Sequence, residues 1–241
     1  MAVVAVGSVC GSPGVTAFAL DLAEVCGRHT LLVEADPDGG SLAARLGLAI
    51  RPGLTELAGA ARLGIEADDV WRYAQPTASG VSVIAAHPAS EQTLAALRAA
   101  AGHIAAALSA LDNTVIIDVG RLRPGSPALG LAADADCTLV LSDNSVEAVV
   151  SLSHRARLLS ACSQPLVVMN RRRPYAMVEI AAAVHQQVWG VVPGGCTRRE
   201  QRSRSAALED LRQLIAPTSK LPGIVAEPVA QFEAVELVVN G

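Results

Sequence analysis

The sequence predicts an α/β fold: one doubly wound, mainly parallel sheet with helices on both faces, formed by residues 1–241 as a single domain. Short β-branched runs, nearly continuous in hydrophobicity, read as strands buried on both sides. They alternate along the whole chain with segments of helical period, the pattern of strand–helix–strand crossovers. The composition agrees, with 51% hydrophobic residues but only 2% aromatic. A core of Ala, Val and Leu lets helices pack closely on a sheet.

Taken in order, strands are expected at 2–6, 30–33, 81–85, 114–117, 137–141, 166–169 and 188–191. A small-residue turn follows the first strand, and a helix begins near Gly14. Residues 51–75 read as mostly helical with no strand of their own, a candidate lid or interaction surface. A helix at 90–111 carries the stripe Leu94, Leu97, Ala101, Ile104, Leu108 and Leu111, with Ser90 as its N-cap. Another at 146–160 is expected to turn Val146, Val149, Val150 and Leu159 inward and Arg155 and Arg157 outward. The tail at 217–241 is punctuated by proline, with a terminal helix expected around 229–239.

Composition also excludes functions. A net charge of −4 gives no whole-surface affinity for nucleic acid. The 5 cysteines (10, 26, 137, 162 and 196) contain no C-x-x-C pair, which points to reduced thiols and a cytoplasmic setting, not to zinc or disulfides. The 5 histidines lack ligand spacing. No basic segment precedes the first apolar stretch, so no signal peptide is expected. No apolar run approaches the ~18 residues of a spanning helix.

Polar residues gather at the strand ends, where doubly wound sheets bind ligands. After the first strand comes Cys10-Gly-Ser-Pro-Gly-Val-Thr16, whose backbone N–H groups and helix start suit a phosphate. A phosphate loop of the form G-x-x-x-x-G-K-[ST] wants Lys where Val15 stands, while Thr16 keeps the hydroxyl that meets Mg²⁺. Such a turn also occurs in α/β proteins that bind nothing. Glu34 and Asp36 follow the second strand, Asp118 ends 115–118 in the Walker B manner, and Asn170 ends 167–170. Asp36 reads equally as a water-positioning residue or as the Asp of an Asp-Pro turn. Cys10 reads as a small hydrophobe or as a thiol beside a helix start.

In these residues the chain resembles the ParA/MinD family of P-loop ATPases, whose deviant Walker A motif K-G-G-x-G-K-[ST] falls on Cys10 to Thr16. Asp36-Pro37, Asp118, Asn170 and the turn Val192-Pro193 match the family's later motifs in order. The stretches 11–16 and 34–40 look closer still to actinobacterial MinD-like proteins of Tad pilus and secretion systems, akin to TadZ/CpaE, in which the phosphate loop is often degraded. The resemblance implies a P-loop NTPase fold and ATP or ADP with Mg²⁺. It implies cradling by Gly11, Ser12, Gly14, Val15 and Thr16, with the base beside Asn170 and Pro193. Mg²⁺ would sit on Thr16 and Asp118, and Asp36 would position water in any active form.

The departures bear on activity. Both lysines are gone, replaced by Cys10 and Val15, and Pro13 removes an N–H from the loop. No Lys or Arg stands elsewhere within the loop. A charge-assisted hydrogen bond contributes ~1.5–3 kcal/mol, so losing one weakens triphosphate binding roughly ten- to a hundred-fold. Hydrolysis should suffer more, because it depends on neutralising charge that develops in the transition state. The expected protein is thus a weak or non-hydrolysing nucleotide binder. By resemblance it is a homodimeric positioning or scaffold factor with protein partners in an envelope-associated assembly, recruited by them to the inner face of the membrane.

Two other readings stay open. One is a slow Mg²⁺-dependent ATPase. The other is a DNA-associated partition factor using Arg198, Arg199, Arg202 and Arg204, with Arg171 to Arg173 as a second basic cluster. Direct membrane insertion is not expected, since the tail carries Glu233 and Glu236 and lacks a basic amphipathic face.

Overall fold

The computed structural model describes residues 2–11, 13–169, 177–193 and 198–215. Eight strands form one sheet: β1 (Ala2–Ser8), β2 (Thr30–Glu34), β3 (Gln75–Pro76), β4 (Ser82–Ile84), β5 (Thr114–Arg121), β6 (Cys137–Ser142), β7 (Pro165–Met169) and β8 (Gln187–Val191). Their order is β3-β4-β2-β5-β1-β6-β7-β8. All neighbours are parallel except β3 with β4. The doubly wound, mainly parallel sheet read from the pattern is therefore present, with each expected strand in place.

Period-2 alternation sorts the strand residues between two cores. Along β1, Val3 and Ala5 join one face, while Ala2, Val4 and Val6 join the other. The first face is covered by α3 (Leu54–Leu63), α4 (Ser90–Ser109), α5 (Ala128–Asp134), α6 (Val146–Ser153), α7 (Ala156–Leu159) and α8 (Met177–Val184). The second carries α1 (Val15–Cys26), the short α2 (Leu42–Leu46) and α9 (Arg198–Ile215). Phe18 is the one aromatic among the largest fully buried side chains, and the rest of that set is Leu and Ile.

Several local expectations are corrected. Ser90 lies inside α4, whose N-cap is Ala89 with no side-chain cap; the Thr93 hydroxyl instead donates to the His87 carbonyl at 2.9 Å. The segment 146–160 breaks at His154–Arg155 into α6 and α7. Ala148, Leu152 and Leu159 face inward, whereas Val146 and Val150 are about half exposed. Val149 packs against the core as expected, so Val146 and Val150 are the two that differ: this short helix has more apolar residues than one face can bury. Arg157 is exposed as expected, but Arg155 turns in to donate to the Val9 carbonyl. The segment 51–75 is no lid, since Leu54, Leu57, Ala58 and Ala61 of α3 are buried in the core and pack with α4. Its last residue opens the edge strand β3, too short to show alternation. The tail 217–241 lies outside the described residues.

Candidate functional site

The loop after β1 is shaped by glycines. Gly11 has φ +63° and Gly14 φ +83°, left-handed conformations that side chains resist. Gly14 is the N-cap of α1, and among the described residues no side chain caps this helix. Its first-turn N–H groups are therefore open to an anion, with the helix dipole behind them. Val15 does not face that space. It is only 9% exposed and packs with the core of the second face. Thr16 is half-buried and turns its hydroxyl toward Asp118. Ser12 lies outside the described residues.

Asp118 sits in β5 opposite both Val6 of β1 and Glu34 of β2, at 0% exposure. Its Oδ1 accepts from the Gly120 N–H at 2.9 Å, and its Oδ2 has no hydrogen-bond partner. Burial is the main reason its pKa rises from 3.8 to about 7. The Thr16 hydroxyl and the Gly120 N–H pull it down, and the charges of Asp36 and Glu34 push it up. A buried carboxylate oxygen left without a donor is costly unless a ligand or ion completes it.

Asp36 and Glu34 divide into different roles. Glu34 is 1% exposed and takes the N–H groups of Ser41 (2.7 Å), Leu42 (3.0 Å) and Ala86 (3.1 Å). Those bonds spend it on fixing the loops after β2 and β4. Asp36 is half-buried, and its Oδ1 accepts from the Asp38 N–H at 2.9 Å, the Asp-Pro turn geometry. The same carboxyl lies over Gly120, where a Cβ would fall 2.1 Å from Asp36 Cγ. Gly120 has φ +59°, so this position is glycine for two reasons. Burial raises the Asp36 pKa, while Arg123 and Arg121 draw it back. Asp36 thus makes the turn, and its charge is felt at Asp118.

Arginines reach the loop from outside it. Arg121, the last residue of β5, donates to the Gly11 carbonyl, and Arg155 donates to that of Val9. Neither was singled out from the sequence for this role. Arg121 lies three positions beyond Asp118, and that spacing was its only visible signal. Arg123 is paired instead with Asp38 at 3.0 Å. On the far side, Pro193 follows β8 and its carbonyl accepts from Arg204 at 2.9 Å. Asn170 and Arg171 to Arg173 lie outside the described residues.

Arg204 also grips Asp21 of α1 at 2.6 Å and stands 5.9 Å over the Phe18 ring. It is thus withdrawn from the basic surface, which keeps Arg198, Arg199 and Arg202 exposed. A separate hollow of about 530 Å³, lined by Arg28, His29, Trp71, Gly80, Ser82 and Asn113, opens at the amino ends of β2, β4 and β5. That is the end of a parallel sheet opposite to the usual ligand site. Among the described residues no helix is long and apolar enough to cross a membrane.

No family model matches the chain, and no curated protein matches it. Solved structures do. A ParA family ATPase from Chlorobium tepidum superposes with TM-score 0.68 at 16% identity, covering 91% of this chain and 95% of its own. The septum site-determining protein MinD complexed with Mg-ADP, from Pyrococcus horikoshii, gives 0.67 at 16% identity, covering 94% and 99%. Cobyrinic acid a,c-diamide synthase from Mycobacterium smegmatis, with a bound ATP analog and magnesium, gives 0.65 at 19% identity, covering 88% and 93%. These likenesses establish the MinD/ParA-type P-loop NTPase fold.

Proposed function

We propose that this chain binds ATP or ADP with Mg²⁺ weakly, turns ATP over slowly or not at all, and serves as a positioning or scaffold factor. The observation that carries the nucleotide reading is the Asp118 carboxyl, fully buried with Oδ2 unpartnered and facing Thr16 at the start of an uncapped helix. Those groups suit a hard cation that takes two protein oxygens and fills its remaining positions with water and phosphate. The N–H groups of Gly11, Gly14, Val15 and Thr16 would cradle phosphate, with Ser12 beside them. Asn170 and Pro193 would flank the base. When bound, Mg²⁺ supplies charge neutralisation at the phosphate oxygens.

Weak turnover follows from Val15, whose buried aliphatic side chain brings no cation to the site. The scaffold role rests on the likeness of 11–16 and 34–40 to TadZ/CpaE-like proteins of pilus and secretion assembly. Homodimerisation and recruitment by envelope-associated partners belong to the same reading. A slow ATPase is the second reading, favoured by Asp36 standing beside Asp118 over Gly120.

Calorimetry with Mg·ATP and Mg·ADP tests both. The wild type should bind, and Asp118→Asn should lose roughly ten-fold in affinity with Mg²⁺ present but little in EDTA. Absence of binding at millimolar nucleotide would end the nucleotide reading. Turnover abolished by Asp36→Ala would replace the scaffold reading with the enzyme.

A further inference from the structure

We infer that Arg121 is the phosphate-binding cation of this site, standing in for the lysine absent at Val15, with Arg155 holding the loop in its binding shape. The inference rests on the nucleotide reading above and identifies which group meets the polyanion.

A polyphosphate carries several negative charges, and the loop itself answers them only with N–H dipoles. Val15 cannot contribute, being turned into the core. Arg121 ends β5, the strand that carries Asp118, and its guanidinium reaches the loop at the Gly11 carbonyl. It also stands near Asp36, whose carboxylate its charge favours. The cation therefore occupies the same mouth as Thr16, Asp118 and Asp36.

It is held in no close ion pair. Among the described residues no carboxylate lies within ion-pair distance of Arg121, whereas Arg123, two positions on, is paired with Asp38. A guanidinium has five N–H donors in a planar fork suited to phosphate. A neutral carbonyl engages it weakly by comparison with a phosphate oxygen. Its contact with Gly11 is in an exposed setting, so the side chain can turn from carbonyl to ligand without unpacking the core.

Arg155 acts differently. It is half-buried at the α6–α7 break and donates to the Val9 carbonyl. Because a peptide is planar and trans, holding that carbonyl also fixes the direction of the Cys10 N–H, which points the opposite way. Arg155 is thus a positioning residue, and Arg121 the ligand-touching one.

The decisive variants are Arg121→Gln, which keeps a donor for the Gly11 carbonyl but loses the charge, and Arg121→Lys, which keeps the charge. Arg98→Ala, exposed on α4, controls for removal of a surface cation. Calorimetry is run with Mg·ATP and with inorganic pyrophosphate at two salt concentrations. Arg121→Gln should weaken both ligands by roughly ten- to a hundred-fold and flatten the salt dependence, while Arg121→Lys stays within a few-fold of wild type. A Gln variant that binds Mg·ATP like wild type overturns the role of Arg121 and leaves the nucleotide reading standing. A Lys variant as weak as Gln overturns it too, since charge would then not be what matters. A wild type that binds neither ligand overturns both.

Discussion

Asp118 makes the strongest statement available from a single residue. Its folded pKa of about 7 exceeds the ordinary 3.8, so between these values the folded state holds a proton that the unfolded chain has released. Its contribution to stability is therefore fully present below about pH 4 and is lost as pH rises through 7. Urea denaturation at pH 5 and pH 7.5 should show Asp118→Asn gaining stability on the wild type as pH rises. Mg·ATP should reverse the trend in the wild type, because a cation favours the ionised carboxyl. Gly120→Ala is the matching steric test. The added methyl overlaps the Asp36 carboxyl and sits at φ +59°, so a loss of roughly 2–4 kcal/mol is expected in the same assay. Residue types at strand ends were legible from sequence, since Asp36, Asp118 and Thr16 gather at one mouth. The tie between Asp36 and Gly120 was not, because a contact across the loops after β2 and along β5 leaves no local pattern.

At the scale of elements, α9 illustrates how a charge run misleads. Its basic start reads as a solvated or nucleic-acid-facing surface, yet Arg204 is only 15% exposed at its side chain and fastens α9 to α1 and to the Pro193 turn. Arg204→Ala should cost roughly 1–2 kcal/mol, discounted because Asp21 is partly solvated. In a double-mutant cycle with Asp21→Ala, the double variant should lose less than the sum of the two single losses, measured by chemical denaturation. Long α4 and the parallel strands were legible because their apolar positions repeat often enough to fix a phase. α6 was not: over Val146–Ser153 the apolar residues outnumber those a single face can hold. β3 escaped because Gln75–Pro76 offers neither length nor alternation.

For the whole molecule, the fold was legible because the central strands are buried on both faces and so read as nearly continuous apolar runs. The charge of the site was not, because it is assembled from distant segments: Arg121 comes from β5 and Arg155 from the α6–α7 break, each to a loop that follows β1. Strand order has one more consequence. The loop after β1, Asp36, Asp118 and Arg121 descend from β1, β2 and β5, three adjacent strands, whereas Pro193 follows β8 at the opposite edge, three places beyond β1. The two halves are nevertheless tied, because Arg204 bonds both the Pro193 carbonyl and Asp21 of α1, the helix that starts at the loop after β1. On the proposed nucleotide reading, a change at the β8 edge would therefore be felt at the far side of the sheet, carried there by one side chain rather than by the strands.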